Sequence, residues 1–152
     1  WLKDHLDCHL LTFNSAGVRY IKKIMILIRE NEENESSLNV AVNLAKVHKA
    51  NINILQFFEY HVEQEHINET KASLQQKLKK RNIDSKVHAI KCEKGIKVNK
   101  NIVDISSEYD LMIFSAGSYT LWDKMVRGTS DDYFMTKASC ATLSVQGKKV
   151  SP

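Results

Sequence analysis

No stretch of this chain approaches the roughly 20 apolar residues that a membrane-crossing helix needs. The longest such run, Ile24–Ile28, is strand-sized. A secretory leader is not expected, because Asp4 stands beside Trp1, Leu2 and Lys3 where a basic flank belongs. The first residue is not Met, which leaves a processed piece of something longer and a trimmed tag as equal readings. Cysteine is scarce: Cys8, Cys92 and Cys140 form an odd set without motif spacing. That pattern indicates neither a disulfide framework nor a zinc ribbon, and it suits a reducing, cytoplasmic setting. Also missing are a Ser-Gly-Gly-x-Asp-Ser loop after the first strand, a His-x-Gly-His, a Walker A and the dinucleotide glycine fingerprint. Their absence argues against adenylating enzymes, P-loop NTPases and dehydrogenases. The chain reads as a binding or regulatory module, not an enzyme.

What is present is enough for one domain. The 152 residues are 43% hydrophobic and 26% charged, which allows a proper core. The formal charge of +4 is unevenly spread. Residues 29–35 set Arg29 against Glu30, Glu32, Glu33 and Glu35, whereas residues 71–100 hold ten Lys/Arg against Asp84 and Glu93. The basic stretch is nearly all Lys with no aromatic interleaved for base stacking, so it reads as a solvated face and not as a nucleic-acid surface.

Strand-like and helix-like segments alternate along the chain. Lys22–Ile28 is a continuous apolar run suited to a strand covered on both faces. Ser36–Ala50 carries Leu38, Ala41, Val42 and Ala45 at helical spacing, with Ser36 or Ser37 as N-cap. Asn51–Phe58 predicts a second strand. Ile67, Leu74 and Leu78 mark a helix ending in Lys79-Lys80-Arg81. Ser85–Cys92 predicts a third strand, Asn99–Glu108 a short helix, Leu111–Phe114 a fourth strand, Gly128–Ala138 a capped helix and Ala141–Gln146 a fifth strand. Such alternation means βαβ units, hence an α/β fold with a five-stranded parallel sheet and helices on both faces.

Ligands in such folds bind at the carboxyl ends of the strands. That places the candidate site in the loops after the first strand (Arg29–Glu35) and after the fourth (Ser115–Arg127). Ser115 and Ser118, with Gly117 between them, are followed, after nine intervening residues, by Gly128-Thr129-Ser130. Small residues let backbone approach a ligand, and a helix start offers free N–H groups and hydroxyls to an anion such as phosphate. On chemistry alone, a tight turn at Gly117 and an N-cap at Thr129 or Ser130 explain the same residues.

This arrangement resembles the universal stress protein family. Its pattern after the fourth strand is Gly, two residues, Gly, nine residues, then Gly-Ser/Thr, which cradles the phosphates and ribose of ATP. Here Ser115, two residues, Ser118, nine residues and Gly128-Thr129 keep the spacing, with serine at two glycine positions. Asp132 falls where the family usually has Glu, and Ala138–Val145 is similar to its closing Ala-Pro-Cys-Pro-Val-Leu-Val-Val. Gly95, the helix at 99–108 and the strand after it resemble the family's third crossover. The likeness spans roughly residues 20–147. It implies the adenine-nucleotide α-hydrolase-like fold with strand order 3-2-1-4-5, and a stress-response regulatory or sensor role. The family's ATP binders end the first strand in an Asp that contacts adenine, whereas this chain has Arg29 there. The candidate anion or nucleotide set is therefore Arg29, Ser115, Gly117, Ser118, Gly128, Thr129 and Ser130. No cofactor is expected, and ATP or another adenine nucleotide is the ligand the family would supply.

Residues 1–20 precede the domain (21–147), and 148–152 form a tail. Trp1, Leu2, Leu6 and Leu10 approximate an amphipathic stripe, read as an extra helix. His5, Cys8 and His9 would share its face, but without a fourth ligand no metal site is expected. Family knowledge adds that such domains occur as cytoplasmic tails of transporters, for which residues 1–20 would be the connector. It further implies that strand 141–146 is a sheet edge, paired with its copy in a homodimer.

Overall fold

Lys23–Arg29 forms a strand in which Ile24 through Ile28 are all buried. Long apolar side chains alternating to both faces need cover on both sides, and helices supply it. The computed structural model describes residues 10–15, 17, 20–29, 35–92, 98–115 and 130–146. Its strands are β1 (Leu10–Asn14), β2 (Lys23–Arg29), β3 (Asn51–Glu59), β4 (Ser85–Cys92), β5 (Leu111–Ser115) and β6 (Ala141–Gln146). Its helices are α1 (Glu35–His48), α2 (Gln64–Lys80), α3 (Val98–Ser106) and α4 (Ser130–Lys137). None of the described helices is long and apolar enough to cross a membrane.

The sheet runs β1-β6-β5-β2-β3-β4. β2 through β6 are mutually parallel, and β1 is antiparallel to β6. The expected α/β architecture is present, with two differences. There are six strands instead of five, and the strand order differs from 3-2-1-4-5 by an added antiparallel member beyond the fifth. Strand 141–146 is consequently not an edge. Its outer side is occupied by β1, with Leu11 opposite Val145 and Phe13 opposite Leu143. Pairing of 141–146 with a second copy would first require β1 to leave. At the end of the expected N-terminal helix, Leu10 and Leu11 are in a strand instead, while Trp1, Leu2 and Leu6 lie outside the described residues. Leu, Thr and Phe accept the pleated conformation, and the open side of β6 satisfies backbone groups that so short a segment could not satisfy alone. The side-chain amide of Asn14 also donates to the carbonyl of Met135 at 2.6 Å, fixing the end of β1 to α4. His5, Cys8 and His9 lie outside the described residues.

Two apolar layers hold the helices. On one face Ile24, Ile26, Ile28, Ile52, Ile54, Ile113, Leu143 and Val145 meet Leu38, Ala41, Val42 and Ala45 of α1 and Leu78 of α2. On the other, Met25, Leu27, Leu55, Phe57, Met112 and Phe114 meet Ile102 of α3 and Phe134 of α4. A carboxylate clamps the bottom of the sheet: Asp110 Oδ2 accepts from the backbone N–H of Lys22 at 2.8 Å and of Lys23 at 2.9 Å. That locks the starts of β2 and β5 together, and with them the register in which Leu27 lies beside Phe114.

Two ionisable groups give direct tests of this packing. Cys140 is buried, and burial pushes its thiol from 9.0 up to about 11, with the charge of Asp110 adding to the rise. At pH 8 roughly one molecule in a thousand would carry a thiolate. With Cys8 and Cys92 replaced by serine, alkylation of Cys140 is expected on the order of 100-fold slower in the folded protein than in urea. Equal rates would show that the site is open.

Glu35 opens α1 and meets the last turn of α2, accepting from Arg81 at 2.9 Å and from Lys77 at 3.5 Å. Burial pushes the Glu35 carboxyl up, but the Arg81 hydrogen bond and the Lys77 charge outweigh it, leaving the pKa below 4.5. A depressed carboxylate pKa contributes stability above the unfolded value, and that contribution is lost as pH falls through the folded one. Glu35→Gln is therefore expected to cost under about 1 kcal/mol at pH 7, since the pair is half-exposed. The difference from wild type should vanish on acidification below 4.5. Urea titrations at both pH values measure it, and a difference that persists in acid would exclude the ion pair as its source.

Candidate functional site

The parallel strands aim their carboxyl ends at one rim of the domain, where β2 ends in Arg29 and its neighbour β5 ends in Ser115. Each following helix runs back along the sheet, so the N-termini of α1 and α4 return to the same rim. α1 brings Glu35, Ser36 and Ser37 there, and α4 brings Ser130 as its first residue. The local reason is ordinary. Strands rich in Ile and Phe stop where polar residues begin, and serines serve helix starts well.

The side chain at 115 does not stand open to this rim. Ser115 Oγ lies 3.0 Å from Ser37 Oγ, and Ser37 is fully buried under the first turn of α1. The hydroxyl at the end of β5 is thus tied to the neighbouring helix. One more polar group is buried nearby: Gln56 of β3 is 4% exposed and stands beside Ile28. Among the described residues its Oε1 has no hydrogen-bond partner.

Of the seven expected site residues, the structure thus brings Arg29, Ser115 and Ser130 to one rim, describing the last of a strand and the first of a helix by backbone position. Gly117, Ser118, Gly128 and Thr129 lie outside the described residues. Sequence reasoning missed two participants. The sequence suggested Ser36 or Ser37 as an N-cap, but α1 begins at Glu35, which puts both serines inside its first turn, and the contact of Ser37 with Ser115 spans 78 positions of sequence. Gln56 was detectable as the polar interruption in the run Asn51–Phe58.

A glycine-backed phosphate cradle does not fit the described part of this rim. At 115 a Cβ and a bonded hydroxyl stand where the family pattern presents bare backbone. No group of three or more His, Cys, Asp or Glu among the described residues could hold a metal ion.

A cavity of about 320 Å³ lies elsewhere, at the opposite end of the sheet. Lys23, Asn53, Asp84, Lys86, Glu108 and Tyr109 are among its lining residues. The Asn53 side-chain amide donates to the Tyr109 hydroxyl at 3.0 Å. Its lining carries both signs of charge, and it is remote from the strand carboxyl ends where such folds bind.

No family model and no curated protein matches this sequence. Solved structures do. A universal stress protein, UspA, from Lactobacillus plantarum superposes with a TM-score of 0.61 at 16% identity, over 84% of this chain and 97% of that one. The universal stress protein from Archaeoglobus fulgidus in complex with dAMP gives 0.56 at 16% identity, over 83% and 98%. A universal stress protein in complex with cAMP gives 0.57 at 13% identity, over 86% and 99%. The shared architecture covers nearly the whole of each of those chains: this protein has the fold of the universal stress proteins.

Proposed function

We propose that this chain is a universal-stress-protein-like regulatory or sensor domain that does not turn over ATP. The observation that carries the reading is the Ser37–Ser115 hydrogen bond at the end of β5. It fills, with side chain, the floor on which the family's glycine would expose backbone to phosphate. Arg29 adds to it by replacing the carboxylate that the family aims at adenine. Calorimetric titration is expected to give an ATP dissociation constant weaker than 10 μM, less than about 7 kcal/mol of binding free energy. Phosphate release from ATP should equal the buffer rate. Tighter ATP binding, or turnover, would overturn the proposal.

A second reading is a free-standing nucleotide-binding stress protein with an altered pocket. It draws support from the similar structures that hold dAMP and cAMP, each with a single phosphate to seat. A thermal shift with AMP, dAMP or cAMP and none with ATP would favour it, because a ligand specific for the native state raises its stability. The finer form of the first reading places the domain on the cytoplasmic side of a membrane transporter, with residues 1–20 as the connector. In that case part of the connector, Leu10–Asn14, is itself a strand of the domain. Transmembrane segments encoded upstream of Trp1 would support it, and a start codon immediately upstream would refute it.

A further inference from the structure

At the amino-terminal end of the sheet, the apolar layer that meets α3 and α4 gives way to polar side chains. Alternate residues of a strand share a face, so Lys23 continues the row of Met25 and Leu27, and Asn51 and Asn53 continue that of Leu55 and Phe57. Lys86 of β4 lies opposite Asn53 in the parallel register. α3 ends at Ser106, and the chain turns back through Glu108 and Tyr109 into β5. The cavity of about 320 Å³ is lined by that turn and by the starts of β2, β3 and β4. Its frame is fixed by hydrogen bonds. The N–H groups of Glu108 and Tyr109 donate to the carbonyls of Ile105 and Ser106 at 3.0 and 3.1 Å, and the Asp110 carboxylate holds the backbone of Lys23. The Tyr109 ring packs against the apolar layer, and its hydroxyl accepts from Asn53 at 3.0 Å, keeping its own proton for a further acceptor.

Two ammonium groups, Lys23 and Lys86, and two carboxylates, Asp84 and Glu108, line this one recess. All four residues are exposed, and among the described residues none of them forms an ion pair. The signs cancel, so the recess holds no net charge to draw in a simple ion. An anion attracted by the lysines is repelled by the carboxylates, and a cation meets the reverse. A molecule carrying both signs is matched at both ends. We infer that the recess is a second binding site, for a small zwitterion of the α-amino-acid class. The ligand's carboxylate takes a lysine ammonium and the Tyr109 hydroxyl, and its ammonium takes Asp84 or Glu108. The cavity is at the small end of the range for ligand sites, about 300–1,000 Å³, which suits a molecule of that size. Its charges are open to water, so each contact is weakened by screening and the expected affinity is modest. The site stands at the other end of the strands from the rim of Arg29, Ser115 and Ser130, and it does not depend on whether a nucleotide binds there.

A thermal-shift screen of the full chain against each of the protein α-amino acids at about 10 mM tests for a ligand, because a molecule specific for the native state raises its stability. At least one should shift the midpoint, and calorimetric titration then gives its affinity. Its N-acetyl and carboxamide derivatives, each lacking one charge, should bind wild type about tenfold or more weakly, since each loses a charge-assisted hydrogen bond. Acetate and ethylammonium, each carrying one of the two charges, should not bind measurably. Lys86→Met, Glu108→Gln and Tyr109→Phe should each weaken the amino acid by a similar factor, whereas Glu65→Gln on the exposed face of α2 should leave it unchanged. The inference is overturned if no amino acid stabilises the protein, or if a derivative lacking either charge binds as well as the parent. Wild-type affinity in folded Lys86→Met and Glu108→Gln would place the ligand elsewhere and overturn it too. The derivatives are tested on wild type, so the comparison stands even where a variant fails to fold.

Discussion

Phe134→Ala is expected to destabilise the domain by about 3–5 kcal/mol. Phe134 is fully buried, and its ring meets Phe114 edge-on, with centroids 5.5 Å apart and planes at 65°. It is the one fully buried residue among the described side chains of α4, a helix of eight residues. Truncation removes the ring that α4 packs against Phe114 and leaves a cavity against β5. A domain of this size typically has 5–15 kcal/mol of stability in total, so the loss is a large share of it. A urea titration should show a lowered midpoint with an unchanged slope. A loss under about 1 kcal/mol would mean that α4 contributes little to the core. Because α4 begins at the candidate rim, a detached α4 would also abolish any anion binding there.

The triple variant R29D/S115G/S118G is expected to bind ATP about 10- to 100-fold more tightly than wild type. The aspartate returns a charged acceptor for the adenine amine, an interaction worth about 1.5–3 kcal/mol. The two glycines remove Cβ atoms and hydroxyls, letting backbone N–H groups approach phosphate. Loss of the Ser115 hydroxyl also breaks its bond to Ser37 at 3.0 Å, so part of the gain is offset by reduced stability. Titration calorimetry on both proteins provides the comparison. Unchanged affinity in a folded triple variant would show that these positions are not what separates this chain from the ATP binders.

The alternation of strand and helix was legible because it is written in local periodicity. The run Lys22–Ile28 became Lys23–Arg29, and Asn99–Glu108 became Val98–Ser106, shifts at the ends where periodicity carries least information. The site was legible only in part. Strand ends and helix starts follow from element order, so the rim holding Arg29, Ser115 and Ser130 could be placed in advance. The Ser37–Ser115 contact could not, because a serine at a helix start reads as a cap whatever lies beyond it.

By itself, then, the sequence determined the α/β class, the parallel core of the sheet and the departure of residues 29, 115 and 118 from the family pattern. Each is a property of residue type at a spacing, set by side-chain volume, burial preference and backbone freedom. Only the tertiary structure decided what Leu10–Asn14 becomes. Leu6 and Leu10 fit a helical stripe as well as Leu11 and Phe13 fit a strand. The choice fell to the unpaired side of β6, more than 120 residues along the chain, whose N–H and C=O groups pair with β1. The same non-local pairing removed 141–146 from the edge and set β1 beyond it. No local pattern records such an exchange, because edges belong to the assembled sheet and not to any strand in it.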